Sequence, residues 1–570
     1  MTTPPKAVGA LGEMRRYAPN KHPAPIELRL SGNEGALRDP QIAARLASAI
    51  SASSLRDYPD TTSLTAQVAE RFGVTTDRVL VTAGADDALY RALLCYASGR
   101  NVVLPSPTFE MLDRYIALVG GELRTIPWTQ PSYPLQEVES QIDPNTGVVF
   151  VVSPNNPTGG CCSPAQLKRL LRSANNALVI VDEAYGEFAN EPLTEIALSS
   201  PNALLLRTLS KAWGLAGLRV GFAIGAPEVI EVLRSVGQPY AVSGPSLAIA
   251  VAALAAEGHW VDDYVDRVRT EREQLVQLLA ELGQTPQPSQ GNFVWCQCSD
   301  PHWITDALAG QGIAIRRFAA PLALQPTVRI TCPGIDHDFE RLSRALRQAL
   351  RPEALLFDMD GVLIDTSQSY RAAIIATAAA FGVQLSASDV SAAKAAGDAN
   401  DDWLLTQRLI GAKGVEVSLE RVTECFEGLY QGTANNAGLF EKESLLPNRQ
   451  WLEQLGRRFA LGIVTGRPRR DALRALELFD IAELFSCLVT RDEAPLKPSP
   501  AGLELACQQL QVSTAWYIGD TPDDVHATRR AGLLPLGILA PGERPANASV
   551  LLQAGAARVL TDLAQLGDLL

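Results

Sequence analysis

Short apolar runs rich in β-branched residues recur along the first part of the chain and alternate with helical patterns; they occupy 78–84, 101–107, 147–154 and 177–185. Each run is too apolar for a strand with one face in water. Strands that are covered by helices on both faces have this composition. The pattern predicts an α/β architecture with a mainly parallel sheet, in which ligands bind beyond the carboxyl ends of the strands.

A second series of strand-like runs begins at Ala354 and continues at 459–466, 487–493 and 515–524. These runs also alternate with helical patterns and predict a second α/β part. Between the first two of them lies a long helical stretch with few strand signals, at about 368–445. We expect this stretch to be a helical cap inserted into the second part.

The connection between the two parts is short. A helical pattern ends at Leu350, and Pro352 prevents its continuation before the next strand begins. Such a connection predicts close neighbours rather than domains on a flexible tether. The first part is therefore predicted at 1–350 and the second at 353–570. Within the first we expect a large and a small domain, the large one at about 40–250 and the small one formed by the N-terminal arm and 251–350.

Composition and charge narrow the class of protein. The 570 residues are 46% hydrophobic and carry a formal net charge of −13. This acidic balance predicts a soluble protein and argues against nucleic acid or a membrane as a partner. The N-terminus has no apolar segment typical of a secretory signal. The nine cysteines lack zinc-ligand spacing, so we expect reduced thiols and a cytoplasmic protein.

Lys211, which stands among serine, glycine and arginine residues, is the first candidate for chemistry. Such a lysine can anchor a carbonyl cofactor covalently and move a proton once it is released. Asp182 ends an apolar run and can pair with a protonated pyridine nitrogen. Tyr185 and Asn156 are placed to reach the phenolic oxygen of the same ring.

A candidate phosphate site accompanies these residues. The segment 82–89 contains a glycine turn that opens a helix, and its first N–H groups can hold a dianion, those of Gly84, Ala85 and Asp86. Two hydroxyls and a guanidinium would complete the site, those of Thr208, Ser210 and Arg219. Each motif alone is often a turn, a cap or a solvated charge, but their combination in this order predicts a pyridoxal phosphate site.

Residues from about 10 to 350 resemble fold-type-I aminotransferases, and most closely the histidinol-phosphate aminotransferase family. The resemblance implies pyridoxal 5'-phosphate as the cofactor and the family's fold, a mainly parallel sheet plus a small α/β domain. In segment 56–60, Tyr58 matches the family's tyrosine that reaches the cofactor phosphate of the partner subunit, which implies a homodimer. In segment 107–111, Phe109 stands where an aromatic ring stacks on the cofactor.

The same resemblance implies the substrate contacts. Asn33 belongs to a segment that resembles the family's N-terminal substrate loop, and Arg316 and Arg329 stand where the family holds a carboxylate or phosphate. The family usually has Asn-Pro after the Asn-Glu pair of this loop, whereas this chain has Gly35-Ala36. The resemblance therefore defines the reaction type more closely than the substrate.

The second part begins with two aspartates that follow an apolar run, so both carboxylates can face one point. Asp358 would attack phosphorus, and Asp360 would protonate the leaving oxygen and then activate water. Carboxylates that face one point repel each other unless a cation lies between them. We expect Mg²⁺ there, held by Asp358, Asp360, Asp520 and Asp524. Two further side chains would contact the phosphoryl group, those of Lys497 and Thr465.

This motif set resembles the haloacid-dehalogenase superfamily over about 353–570. It implies a Rossmann-like core with an α-helical cap, and hydrolysis of a phosphate monoester through an aspartyl-phosphate. Dehalogenases and phosphonoacetaldehyde hydrolases of the superfamily typically lack the second aspartate, so Asp360 favours a phosphatase or phosphomutase. The cap segment 397–403 is the first candidate for substrate contact, and an exposed acidic helix start is the alternative interpretation.

The pairing of the two parts suggests the substrates. The aminotransferase family exchanges L-histidinol phosphate and 2-oxoglutarate with imidazole-acetol phosphate and glutamate, and histidine synthesis next removes the phosphate of histidinol phosphate. We therefore expect small-molecule substrates and two consecutive steps on one chain. The second part looks more like phosphoglycolate phosphatases and β-phosphoglucomutases than the familiar histidinol phosphatase, which keeps an unrelated phosphate ester as an alternative. For the first part, the alternatives are an aminotransferase for another amino acid and a phosphoamino-acid decarboxylase.

Overall fold

The computed structural model of the protein describes residues 22–37, 39–256, 260–318, 326–397, 399–433 and 436–570. They form two compact units. The first unit holds described residues within 30–301 and 315–341, and the second those within 22–29, 302–314 and 342–570. The N-terminal arm up to residue 21, which the sequence assigns to the small domain, lies outside the described residues.

A seven-stranded sheet is the centre of the first unit, and its strands in spatial order are Val79–Thr82, Gly221–Ile224, Ala203–Thr208, Leu178–Asp182, Thr146–Val152, Asn101–Ser106 and Glu122–Pro127. Only Gly221–Ile224 runs antiparallel to its neighbours; the other pairs are parallel. The central strands are buried on both faces, which explains their unbroken apolar runs. The predicted α/β architecture with a mainly parallel sheet is confirmed.

Eleven α-helices lie among the described residues of the first unit: Pro40–Ala47, Ala52–Arg56, Thr62–Phe72, Ala85–Tyr96, Met111–Leu118, Leu135–Ser140, Pro164–Ser173, Thr194–Leu198, Pro227–Ser235, Gly244–Ala255 and Trp260–Glu281. Their starts follow from local chemistry. At Ser163, the side chain accepts from the N–H of Gln166, whose side chain accepts in return from the N–H of Ser163. This reciprocal cap satisfies two helix-end donors.

A smaller sheet consists of Leu28–Leu30, Ile313–Phe318, Thr327–Thr331, Phe293–Gln297 and Thr285–Pro286 in that order. The pairs from Ile313–Phe318 onward are antiparallel. Arg316 lies directly opposite Arg329 in this register. Residues that face each other across antiparallel strands project from the same side of the sheet, so the two predicted substrate arginines share one face.

A six-stranded, wholly parallel sheet is the centre of the second unit, in the order Cys487–Val489, Ala460–Val464, Ala354–Phe357, Ala515–Gly519, Leu534–Ile538 and Val559–Leu560. Helices accompany it at Asp336–Leu350, Arg449–Gly456, Arg469–Leu478, Ala501–Leu510, Pro522–Arg530 and Asn547–Ala554. The carboxyl ends of three adjacent strands carry Asp358, Thr465 and Asp520. The predicted Rossmann-like core is confirmed.

Four helices form the inserted stretch of the second unit, namely Tyr370–Ala380, Ala387–Ala395, Asp402–Ala412 and Leu419–Gln431. They share one hydrophobic core. A two-stranded ribbon of Ile364–Asp365 and Ser444–Leu445 joins the start and the end of this insertion. The stretch predicted as a cap is therefore helical and leaves and rejoins the parallel sheet at one place.

The second unit also contains residues that precede the predicted junction. The ring of Trp303, in helix Pro301–Gly310, packs on Trp516 with 4.9 Å between centroids. Gln348 accepts from Trp516 Nε1 through its carbonyl at 2.6 Å and from the Ala515 N–H through its side chain at 2.8 Å. Residues 302–314 and 342–350 are thus part of this unit's core, although the sequence assigns them to the first part.

Across the part of the chain that the structure describes, no helix combines the length and the hydrophobicity that a bilayer crossing requires.

Candidate active sites

A cavity lies at the carboxyl ends of the parallel strands of the first unit. Strand ends and the loops behind them bring most of the predicted residues to its wall, including Ala85, Asp86, Phe109, Asn156, Asp182, Tyr185, Thr208, Ser210, Lys211, Arg219, Arg316 and Arg329. The order of the seven-stranded sheet brings together the side chains from residues 78–221, whereas Arg316 and Arg329 come from strands Ile313–Phe318 and Thr327–Thr331 of the smaller sheet. The cavity is concave and combines apolar and polar side chains, as small-molecule sites do.

Lys211 and Asp182 face this cavity from neighbouring strand ends. Lys211 Nζ donates to the carbonyl of Gly32 at 3.1 Å and lies 5.7 Å from the centre of the Tyr185 ring. Asp182 is 5% exposed, and burial raises the pKa of its carboxyl to about 6. A buried carboxylate of this kind gains a partner when a protonated ring nitrogen is placed beside it.

The residues of the predicted phosphate site lie around the start of helix Ala85–Tyr96. Gly84 precedes helix Ala85–Tyr96 with φ 77, and a Cβ at this position would lie 2.7 Å from Arg219 Nη2. The Thr208 hydroxyl donates to the Ser210 hydroxyl at 2.9 Å. The helix N-terminus, two hydroxyls and a guanidinium therefore surround a space that suits a dianion. Arg219 meanwhile donates to Asp86 at 2.9 Å.

Asn33 differs from its predicted role as a substrate contact. It is fully buried, and its Nδ2 donates to the Tyr185 hydroxyl at 3.0 Å while its Oδ1 accepts from the Thr331 hydroxyl at 2.9 Å. Both ends of its amide are therefore occupied, and its side chain is not on the cavity wall. In this geometry Asn33 orients Tyr185.

The two predicted substrate arginines reach the cavity with partners. Arg329 donates to Asn156 Oδ1 and, at 2.6 Å, to the carbonyl of Ser31. Arg316 donates to Glu110 at 2.7 Å. Glu110 directly follows Phe109 in the segment 107–111, but nothing in the sequence indicates its contact with Arg316.

Tyr58 lies away from this cavity. Its side chain is 80% exposed and stacks on Tyr240 with 4.5 Å between ring centroids. Its predicted contact with the partner subunit's cofactor stays a prediction.

The donor set of the first cavity fits pyridoxal 5'-phosphate. Lys211 offers the amine, Asp182 a buried carboxylate for the ring nitrogen, and Tyr185 and Asn156 groups for the phenolic oxygen. Gly84 leaves the space that a phosphate needs against Arg219.

The second unit brings three carboxylates together at the ends of two neighbouring strands. One oxygen each from Asp358, Asp520 and Asp524 lies within 4.8 Å of the other two. Burial and then Asp524 raise the pKa of Asp520 to about 7, and burial raises the pKa of Asp358 well above its usual value. Such a crowded, desolvated set of oxygens fits a hard divalent cation, which would restore the ionised forms.

Lys497 is the one predicted cation that reaches these carboxylates directly. Its Nζ lies 3.0 Å from Asp358 and 2.5 Å from Asp524. Burial opposes the charge on Lys497, but the two carboxylates outweigh it and raise its pKa. Thr465 is buried at the end of its strand, and its hydroxyl accepts from the N–H of Arg467 at 3.2 Å.

Asp360 does not join the three-carboxylate group. Its Oδ1 accepts from Arg467 Nε at 2.7 Å and lies 2.6 Å from Arg467 Nη2. Its predicted role as a metal ligand stays a prediction, since Arg467 contacts one of its two carboxylate oxygens. Arg467 also donates to both oxygens of Glu443. Neither Arg467 nor Glu443 was identified from the sequence, although Arg467 follows Thr465 by two residues.

The cavity beside Asp358 and Asp360 is closed by the inserted helices. Their contribution to its wall consists of Tyr370, Lys394, Ala399, Asn400, Asp402 and Trp403. The segment 397–403, predicted to contact substrate, thus supplies four of these residues; Asp398 lies outside the described residues.

Comparison with known families identifies both units. Residues 27–346 match the model of aminotransferase class I and II, and residues 352–532 match that of haloacid dehalogenase-like hydrolases. The chain therefore belongs to the aminotransferase class I and II family, and its C-terminal part is a haloacid dehalogenase-like hydrolase domain. Both families are enzymes, and both predicted resemblances are confirmed.

The names of the related proteins refer to several activities. The chain is 34% identical over 328 residues to an aromatic amino acid aminotransferase of Thermobifida fusca, and the match covers 55% of this chain and 91% of that protein. It is 32% identical over 337 residues to histidinol-phosphate aminotransferase 1 of Dechloromonas aromatica, with 57% and 91% covered. It is 44% identical over 235 residues to an imidazoleglycerol-phosphate dehydratase of Phytophthora nicotianae, with 38% of this chain covered. The chain spans about half, 52%, of that last relative.

Solved structures share the fold of the first part. The histidinol-phosphate aminotransferase of Sinorhizobium meliloti in complex with pyridoxal-5'-phosphate has a TM-score of 0.52 and 25% identity, and covers 57% of this chain and 92% of its own. A Thermus thermophilus aspartate aminotransferase mutant, with a TM-score of 0.51 and 23% identity, covers 56% and 91%. The predicted fold-type-I architecture is confirmed.

Proposed function

We propose that this protein is a bifunctional enzyme. Its first activity exchanges the amino group between L-histidinol phosphate and 2-oxoglutarate, and its second hydrolyses the phosphate ester of histidinol phosphate. The observation that carries the proposal is that one chain holds two sets of groups, one around Lys211 with two arginines for an anion, and one around Asp358 for a phosphoryl group.

In transamination, Lys211 Nζ removes the proton from the substrate carbon that bears the amino group and later delivers it. Bound pyridoxal 5'-phosphate supplies the electron sink for this carbon. Asp182 keeps the ring nitrogen protonated, and Tyr185, oriented by Asn33, donates toward the phenolic oxygen. Tyr58 would complete the phosphate site of a partner subunit in a homodimer.

The substrate end of this cavity supports a phosphate ester of an imidazole alcohol. Arg316 and Arg329 can hold a phosphate or a carboxylate with paired donors. Glu110, which pairs with Arg316 at 2.7 Å, is an acceptor for an imidazole N–H in the same cavity. The names of the Dechloromonas and Phytophthora relatives, which refer to imidazole-bearing phosphate esters, support this substrate class.

A second candidate for the first activity is transamination of an aromatic amino acid. The 34% identity to the Thermobifida aminotransferase favours it. The ratio of kcat/KM for L-histidinol phosphate to that for phenylalanine, both with 2-oxoglutarate, decides between the two candidates.

In hydrolysis, a carboxylate oxygen of Asp358 attacks phosphorus, and the bond from phosphorus to the alcohol oxygen breaks. Asp360 gives its proton to that leaving oxygen. It then takes a proton from the water that attacks the aspartyl-phosphate, which releases phosphate and restores Asp358. Mg²⁺ held by Asp358 and Asp520, together with Lys497, would offset the charge that gathers there.

The hydrolase assignment is tested by phosphate release from L-histidinol phosphate with Mg²⁺. We expect release by the parent protein and a loss of at least about 1,000-fold in kcat for Asp358→Asn, because the nucleophile is removed. Absence of release by the parent, with release from another phosphate ester, would overturn the substrate of the second activity and leave the aminotransferase assignment in place.

A further inference from the structure

The hydrolase cavity has two chemically different ends. At one end stand the aspartates Asp358, Asp360 and Asp520, and at the other the inserted helices supply Lys394, Asp402 and Trp403. The wall of the cavity runs from the aspartates to these inserted residues, so an ester bound through its phosphoryl group would contact both sets of side chains. The end built by the inserted helices therefore meets the alcohol part of the substrate.

Each cation on the described wall of this cavity already faces a carboxylate. Lys394 Nζ lies 3.2 Å from Asp402 Oδ1, and Arg491 donates to Asp401 at 2.6 Å. Arg467 lies between Asp360 and Glu443. The wall itself carries these three cations and the four carboxylates of Asp358, Asp360, Asp402 and Asp520. A carboxylate or a second phosphate on the alcohol would find no excess positive charge here, whereas an ammonium group would find a favourable potential.

Asp402 and Trp403 are held firmly at this end. The Asp401 side chain accepts from the N–H groups of Trp403 and Leu404, which fixes the start of helix Asp402–Ala412. The Arg491 guanidinium lies 4.6 Å from the centre of the Trp403 ring. Side chains fixed in this way can discriminate between ligands, because they lose little freedom on binding.

The adjoining loop is tied to the parallel-sheet core. Asn400 Nδ2 donates to Asp523 Oδ2 at 3.1 Å and to the carbonyl of Lys497 at 3.2 Å. The N–H of Ala399 donates to the same Asp523 oxygen at 3.1 Å. The distance from the phosphoryl end to Asp402 is thereby set by the fold.

We propose that Asp402 and Trp403 select phosphate esters whose alcohol carries an ammonium group beside an aromatic ring. Asp402 pairs with the ammonium, and Trp403 packs against the ring. The inference rests on the proposed hydrolase function and names the alcohol that its site accepts. It distinguishes amino alcohols such as histidinol from acidic alcohols such as glycolate.

The test uses the full-length protein with Mg²⁺ and pairs of esters that differ only in the ammonium group. One pair is L-histidinol phosphate and 3-(imidazol-4-yl)propyl phosphate; the other is L-phenylalaninol phosphate and 3-phenylpropyl phosphate. We expect the parent to prefer the ammonium-bearing member by roughly 10- to 100-fold in kcat/KM, the worth of one charge-assisted contact. Asp402→Asn should bring this preference close to unity.

The matched control is Glu420→Gln, which removes the same charge from an exposed position of helix Leu419–Gln431 and should keep the parent's preference. Trp403→Leu should raise KM for the imidazole esters and for the phenyl esters, with a smaller change in kcat. If the Asp402→Asn variant hydrolyses neither member of a pair, the preference for the ammonium-bearing ester is measured with Asp402→Glu instead. Retention of the preference by Asp402→Glu supports the role of the charge, and its loss overturns it.

Different results would overturn the proposed function and the proposed role of Asp402 and Trp403. Equal hydrolysis of histidinol phosphate and its deamino analogue by the parent would overturn the inference and leave the proposed function standing. No hydrolysis of histidinol phosphate, with an Asp402-dependent preference for phenylalaninol phosphate, would overturn the proposed substrate and support the inference. An ammonium preference that survives Asp402→Asn would overturn the assignment of Asp402.

Discussion

Asp182 is a residue whose placement serves a ligand rather than the stability of the cofactor-free protein. Burial raises the pKa of its carboxyl to about 6, above the ordinary value of 3.8. The folded state therefore binds more protons than the unfolded state between these two values, so stability falls as the pH rises through this window. Above about pH 6 the full free-energy cost of burying the ionised carboxylate is present.

The variant Asp182→Asn should remove this penalty, since an amide oxygen can still accept from the N–H of Ala184. For the cofactor-free protein we expect the free energy of unfolding of the first unit to rise by up to about 3 kcal/mol at pH 8 and by about half as much at pH 5. Urea unfolding at both pH values measures it. Binding of pyridoxal 5'-phosphate should weaken in the same variant.

An equal change at both pH values would contradict this account of Asp182, because a removed charge must act through its titration.

Residues that lie in recognisable motifs could be predicted from the sequence. Residues whose role depends on a contact made only in the folded chain could not. Lys211 and Asp182 stand at the ends of strand-like runs of the first part, and Asp358 follows such a run of the second part, so the position of each at the carboxyl edge of its own sheet could be predicted. Glu110 and Arg467 are ordinary charged residues in the sequence, and only the fold places them against Arg316 and Asp360. Asn33 was identified, but only the structure assigns its amide to Tyr185.

At the scale of elements, the ribbon that carries the inserted helices is joined to the hydrolase site through a buried ion cluster. Glu443 immediately precedes strand Ser444–Leu445, and Arg467 follows strand Ala460–Val464. Arg467 is 2% exposed and donates to Glu443 and to Asp360. The ribbon's position and the orientation of Asp360 are therefore linked through one guanidinium.

Glu443→Gln should destabilise the second unit by about 1.5–3 kcal/mol, because the buried Arg467 loses one charged acceptor and keeps a single carboxylate, that of Asp360. Phosphate release should fall as well, since Arg467 then binds Asp360 more tightly. Loss of phosphate release on heating measures the stability, and initial rates below that temperature measure the activity.

The control Glu441→Gln removes the same charge from an exposed position two residues earlier and should leave both quantities near those of the parent. Equal behaviour of the two variants would show that the ion cluster has no such role.

For the whole molecule, the second compact unit extends beyond the hydrolase sequence. Trp303 and Gln348 pack on the strand Ala515–Gly519, within one hydrophobic core. The sequence could not predict this, because Pro352 marks the end of a helix, whereas the extent of a unit depends on contacts between residues far apart in the chain. The junction predicted at 350–353 describes the chain's connectivity rather than the limits of packing.

Trp303→Ala should therefore destabilise the hydrolase domain, although Trp303 lies about fifty residues before the start of that domain in the sequence. Truncation of a buried tryptophan costs about 3–5 kcal/mol, and we expect phosphate release to be lost at a lower temperature. The control Leu478→Ala truncates a side chain that is 54% exposed in the same unit. An unchanged inactivation temperature for Trp303→Ala would contradict the extended unit.

We propose that one chain performs two consecutive steps on one phosphate ester. The most direct measurement is phosphate release from imidazole-acetol phosphate and glutamate by the full-length protein with pyridoxal 5'-phosphate and Mg²⁺. We predict that release requires glutamate and is lost both in Lys211→Ala and in Asp358→Asn, and that an equal mixture of the two variants restores it. Release without glutamate, or no release while glutamate is consumed, would contradict the claim.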